Sequence, residues 1–209
     1  MSRLHLFDMD GTLIRDSSAN IELAKVIGKV EEFRSLDGEF AAGAVDSAEY
    51  ARRAYTMWSG LTEEVVAAAF ARAPWLAGIR EVWTEITERG EYCAVISLSP
   101  SFFVRRLSGW GVHEVRAAVF PDVPFPAGTT LDVCGVLSPQ SKVLIADELC
   151  ARYGVTRADC VAYGDSMSDA VLFAAVPTAV AINGDHHVQD LATHAYSGGD
   201  LREAYELVR

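Results

Sequence analysis

The sequence predicts an α/β fold, a doubly wound parallel sheet with one inserted helical block. Three observations carry this. Short apolar runs that read as buried strands recur at 4–7, 92–96, near 117–120, and at 160–163 and 179–182. Helical patterns separate the later runs, so their connections are crossovers and the strands lie parallel with helices on both faces. The stretch from about 16 to 73 carries helical patterning only, straight after the first run.

Taken in order, Leu4-His5-Leu6-Phe7 stops at Asp8, as a buried strand does. Ile21, Leu23, Ala24, Val26 and Ile27 give one helix an apolar face, and 49–58 and 63–72 suggest two more. Gly38, Gly43, Gly60 and Pro74 punctuate this block. A helix at about 76–89 ends at Gly90, before the strand at 92–96. The next helix, 101–110, is expected to take Ser99 as its N-cap and Pro100 as its first residue. A Pro/Gly-rich stretch at 121–137 reads as hairpin-like. Ser138 and Pro139 open a helix at about 139–153 that stops at Gly154. Asn183-Gly184-Asp185 reads as a turn, and His186-His187 as a solvated helix start. The expected division is a core of 1–15 and 75–209 with a helical lobe at 16–74, placed to act as a lid.

Composition narrows the function. Half of the 209 residues are apolar, enough for a sizeable core, and 29 acidic against 18 basic side chains give a net charge of −11. That surplus repels a phosphate backbone, so nucleic acid is not an expected partner. No run approaches the roughly 18 residues a membrane helix needs, and the N-terminus lacks the apolar stretch of a signal peptide. Cys93, Cys134, Cys150 and Cys160 have no CxxC spacing and read as reduced core residues of a cytoplasmic protein. Trp58, Trp75, Trp83 and Trp110 read as packing, with Met57-Trp58 a candidate pocket wall.

Four polar constellations fall at strand ends or helix starts. In Asp8-Met9-Asp10-Gly11-Thr12, the two carboxylates stand at i and i+2 after a strand, on one side of extended backbone. One can attack an electrophile while the other moves a proton; alone, the motif also reads as a turn. Gly164-Asp165-Ser166-Met167-Ser168-Asp169 again follows a strand and opens a helix. Carboxylates converging at one sheet edge repel one another and suit a hard cation such as Mg²⁺; alone, they read as a loop and a cap. Ser97, at the end of the third motif's strand, and the free amides of the next helix can hold a phosphate oxygen or merely cap that helix. Lys142 lies in the first turn of its helix, where a cation opposes the helix dipole unless an anion is near. A surface lysine is the bland alternative.

In this order, DxDGT at 8–12, Ser97, Lys142 and GDSxSD at 164–169 resemble the haloacid dehalogenase superfamily, especially its phosphoserine-phosphatase-like branch. The resemblance spans nearly the whole chain. It implies a Rossmann-like core with a small helical cap, and Mg²⁺-dependent hydrolysis of a small phosphorylated metabolite. Carried over residue by residue, it makes Asp8 the nucleophile and Asp10 the acid and base. Asp8, Asp165 and the Asp10 carbonyl would bind Mg²⁺, with Asp169 supporting the site. Ser97 and Lys142 would hold the phosphoryl oxygens.

The chain departs from that branch where specificity is set. Leu98-Ser99 replaces a Gly-Gly pair, Ser17 a glutamate, and Ser168 an asparagine; Ala54, beside Arg52 and Arg53, stands near a cap arginine. Ser17, Arg52, Arg53, Leu98 and Ser168 are therefore the candidate substrate-binding residues, and a neutral or hydroxyl-rich ester is expected over phosphoserine. Two rivals share these motifs. One is a phosphotransferase or mutase on the same scaffold. The other is a phosphate-sensing module, against which Asp10 and the long insertion argue.

Overall fold

The computed structural model describes residues 2–209. Its six strands form one parallel sheet in the order β3-β2-β1-β4-β5-β6. They are β1 (Leu4–Phe7), β2 (Tyr92–Pro100), β3 (Glu114–Ala118), β4 (Cys160–Gly164), β5 (Thr178–Ile182) and β6 (His194–Tyr196). The first strand of the chain is thus central, with Leu6 opposite both Ala94 and Ala162. Every residue of β1 is buried, as a strand covered on both faces must be.

Side-chain alternation splits the core in two. Phe7, Val95, Tyr163 and Val180 face Trp83 of α5 (Ile79–Glu88) and Tyr205 of α10 (Leu201–Glu206). Leu4, Leu6, Ala94 and Ala162 face Ile145 and Leu149 of α7 (Pro139–Tyr153) and Phe173 of α8 (Ala170–Ala175). Phe7 stacks on Tyr163 at 4.3 Å between ring centroids, which ties β1 to β4 just below the point where both turn acidic.

Between β1 and β2 come α1 (Ala19–Ile27), α2 (Val30–Ala41), α3 (Ser47–Met57) and α4 (Glu63–Arg72). Ser18, Asp46 and Thr62 cap α1, α3 and α4 through side-chain oxygens. Phe33 stacks on Trp58 at 5.6 Å inside this block.

The structure corrects several expectations. Gly38 does not punctuate; it lies inside α2, a helix the residue pattern did not suggest. β2 continues to Pro100, so Ser99 is not a helix cap, and the next helix is short: α6 (Ser101–Val104), followed by a 3₁₀ turn at Arg105–Trp110. The stretch 121–137 holds no strand; it is a loop with a 3₁₀ turn at Val133–Gly135, pinned where Val119 N donates to Gly135 O at 2.8 Å. Cys93, Cys150 and Cys160 are buried, but Cys134 is exposed, and all four are free thiols. His186 and His187 open α9 (His186–Gln189) at the surface. No described helix is long and apolar enough to cross a membrane.

Candidate active site

Parallel strands end together, so the polar motifs that follow β1, β2 and β4 meet at one edge. Asp8 N donates to Tyr163 O at 2.9 Å, extending the ladder one residue beyond Phe7. The chain then turns, with Leu13 N and Ile14 N both donating to Met9 O. Gly11 takes φ +75°, and a Cβ there would fall 2.1 Å from Asp165 Oδ2. Only glycine lets the two acidic loops close on each other.

Lys142 reaches this edge from the first turn of α7, fully buried. Its Nζ donates to Asp8 Oδ1 at 2.6 Å and to Asp169 Oδ1 at 2.7 Å, with Ser168 Oγ at 3.4 Å. Burial alone would discharge the ammonium, but Asp169 and Asp8 outweigh it and hold the lysine charged. Asp169 also accepts from the backbone N–H of Asp165 at 3.0 Å, which fixes the second acidic loop.

Asp10 faces the other way. Its Oδ2 accepts from Ser99 Oγ at 2.5 Å and Ser97 Oγ at 3.4 Å, and its Oδ1 from Ala19 N at the start of α1, at 2.7 Å. Burial pushes its carboxyl above the ordinary range, against the pull of Ser99 and Ala19. Burial also drives Asp8 well up, despite Lys142, and takes Asp165 to about 8 with help from Asp169.

Asp8, Asp165 and Asp169 present carboxylate oxygens that all lie within 4.8 Å of one another. Two buried carboxylates, Asp8 and Asp169, share one ammonium and the half-buried Asp165 stands beside them, leaving an all-oxygen donor set with uncompensated negative charge. A hard divalent cation such as Mg²⁺ fits that chemistry. The Asp10 side chain stands outside this set. Asp185, His186 and His187 make a second cluster, but they are surface groups in which Asp185 caps α9.

Above Asp8 and Asp10 opens a cavity of about 270 Å³. Leu98 and Ser168, both candidates from the sequence, line it, as does Trp58. Ser17 does not; its hydroxyl is turned to Glu22. Arg53 is held by Glu39 at 2.6 and 2.9 Å and Arg52 by Glu49 at 3.3 Å, both away from the cavity. Ser97 is buried behind the lining, its Oγ accepting from Ser99 N at 3.1 Å. Sequence reasoning missed Ser99, Asn20, Asp37 and Tyr50. Ser99 had a signal, since residues two apart on a strand share a side; the others depend on how α1, α2 and α3 pack.

The structure brings a strand end with two aspartates, a buried lysine and a second acidic loop together on a β3-β2-β1-β4-β5-β6 sheet, and comparison with known proteins bears on the family and the fold. The family model of haloacid dehalogenase-like hydrolases matches residues 5–174, and the chain belongs to that family. Two archaeal relatives are phosphoserine phosphatases, each 25% identical to it. The alignment with that of Methanocaldococcus jannaschii covers 99% of this chain and 98% of the relative. That with the Archaeoglobus fulgidus protein covers 95% of this chain but only 58% of the relative's length. Among solved structures, a substrate-bound phosphoserine phosphatase complex superposes with a TM-score of 0.83 at 23% identity, over 100% of this chain and 99% of the other. A phospho-aspartyl intermediate analogue of phosphoserine phosphatase gives 0.82 at 23% identity, with the same coverage. At that identity the two structures speak for the fold.

Proposed function

We propose that this hydrolase cleaves a small phosphomonoester through an aspartyl phosphate on Asp8, with Mg²⁺ as cofactor. The observation that carries this reading is Asp8 held against Lys142 on the cavity floor, with hydrogen-bonded Asp10 two residues on. An Asp8 oxygen attacks phosphorus, the bond to the leaving oxygen breaks, and that oxygen takes a proton from Asp10. Asp10, now ionised, takes a proton from water, whose oxygen attacks phosphorus and frees Asp8 and inorganic phosphate. The raised carboxyl of Asp10 suits a group that must give and then take a proton. Lys142 keeps its charge beside the nucleophile, lowering the repulsion between carboxylate and phosphate. Bound by Asp8, Asp165 and the Asp10 carbonyl, with Asp169 supporting, Mg²⁺ would neutralise phosphoryl charge.

In this reading α1–α4 form a cap, residues 16–74, over a core of 1–15 and 75–209. Closure would exclude water during phosphoryl transfer. That both relatives are phosphoserine phosphatases supports phosphatase chemistry. The positions of Ser17, Arg52 and Arg53 support a substrate other than phosphoserine alone. Four free thiols suit a reducing, cytoplasmic setting. The test is phosphate release across phosphorylated metabolites with and without Mg²⁺, together with mass spectrometry of the acid-quenched enzyme. Phosphate on Asp8 and loss of turnover in Asp8→Asn are expected. Full activity of Asp8→Asn overturns the mechanism, and release only in the presence of an acceptor alcohol would make the protein a phosphotransferase.

A further inference from the structure

One wall of the cavity is polar and plays no part in the chemistry above. Asp37, from α2, accepts a hydrogen bond from Tyr50 OH at 2.6 Å, and Tyr50 OH accepts from Asn20 Nδ2 at 2.7 Å. This chain of donors fixes the amide. The phenol's one proton goes to Asp37, so its oxygen must receive from Asn20, which leaves Asn20 Oδ1 as an acceptor. That atom is buried and has no partner. Among the described residues no hydrogen bond reaches Asp37 Oδ2 either, and no lysine or arginine lines the cavity.

Asn20 and Asp37 therefore offer acceptors that ask for donors, while Trp58 Nε1, on the same lining, is a buried donor without a partner. The wall is also aromatic: Phe40, Tyr50 and Trp58 line the same space, with the Phe40 and Tyr50 rings edge-on at 5.5 Å. A carboxylate among aromatic faces is the chemistry that holds a cation. Burial pushes the Asp37 carboxyl above its ordinary range, and a cation bound beside it would favour the ionised form.

We infer that Asp37 and Asn20 Oδ1, beside the rings of Phe40 and Trp58, form a subsite for a protonated amine on the leaving alcohol. The substrate class is then a small amino-alcohol phosphate without a carboxylate. Asp37 supplies, from a different helix, the charge that Ser17 lacks. A carboxylate on the leaving group would meet Asp37 with no cation to receive it. A cavity of about 270 Å³ admits only a short leaving group. The inference rests on the hydrolase reading above and assigns the substrate of the same site.

The experiment measures kcat/KM with Mg²⁺ for 2-aminoethyl phosphate, propyl phosphate, glycerol phosphate and phosphoserine. In the parent, 2-aminoethyl phosphate should exceed propyl phosphate by about 10- to 100-fold, the span of a charge-assisted contact. Asp37→Asn should bring that ratio close to one, and Tyr50→Phe should give an intermediate value. Both esters are measured on one sample, so loss of folded protein cancels from the ratio. A parent ratio of one or less, a ratio unchanged in Asp37→Asn, or phosphoserine as the best substrate overturns the amine subsite while phosphate release stands. If neither these esters nor p-nitrophenyl phosphate releases phosphate, the hydrolase reading falls and the subsite with it.

Discussion

Ser99 Oγ donates to Asp10 Oδ2 at 2.5 Å, nearer than Ser97 Oγ at 3.4 Å. The hydroxyl favours the ionised carboxylate and so holds back the rise that burial causes. Ser99→Ala should therefore move the Asp10 carboxyl further up, and with it the alkaline limb of the kcat/KM profile, because Asp10 must begin protonated. An unmoved alkaline limb would show that Asp10 does not set it.

Removing the lysine tests the charge balance. Lys142→Met strands two buried carboxylates, a loss of about 3–5 kcal/mol near neutral pH. The sign in pH follows from Asp8, whose folded carboxyl already sits well above its ordinary value and loses the lysine's downward pull. Such a group costs nothing below its unfolded pKa of about 4, and its cost grows as pH rises toward the folded value. The Tm deficit of Lys142→Met should thus be larger at about pH 8 than at about pH 5. Equal deficits would mean that the variant loses packing only.

With Asp165 raised to about 8, a cation bound there would have to compete with a proton for the carboxylate. Its raised carboxyl destabilises the metal-free fold increasingly between about pH 4 and 8. A cation that requires the ionised form relieves this. Mg²⁺ should raise Tm more at about pH 8.5 than at about pH 6, chelation should remove the increment, and Asp165→Ala should abolish its pH dependence. The same increment at both pH values would argue against Asp165 as a ligand.

Gly11→Ala combines two penalties. A left-handed backbone costs a non-glycine residue about 1–2 kcal/mol, and the new methyl would displace Asp165. Because misplacement by about 1 Å can cost 10²-fold, kcat should fall at least that far while Tm drops only modestly. A variant that keeps parental kcat would show that the loops close without the glycine.

The fold was legible where the pattern was long or the punctuation strong. Leu4-His5-Leu6-Phe7 before Asp8, and Ser138-Pro139 to Gly154, marked β1 and α7 because strand ends and helix caps are local events. β6 has three residues and α10 six, too short for a periodicity to emerge. α2 was hidden by Gly38 at its C-terminal half, where the packing of Phe33 and Leu36 outweighs the weak propensity. The carboxylates and Lys142 could be read because each follows a strand or opens a helix. Asp37, Tyr50 and Asn20 could not, since their meeting depends on the angles between three helices.

The place of β1 at the centre of the sheet has a consequence for biosynthesis. Asp8 leaves the ribosome early, yet the lysine it touches lies 134 residues further along. Its strand needs β4 as a neighbour before the ladder can close. A nascent chain halted before Cys160 would hold Asp8 and helices α1–α4 but only one flank of the sheet. Turnover would then begin only after most of the polypeptide had been made and folded. Phosphate release thereby becomes a clock for the completion of folding, and two fragments split in the loop at 121–137 should be silent apart and active once reassembled.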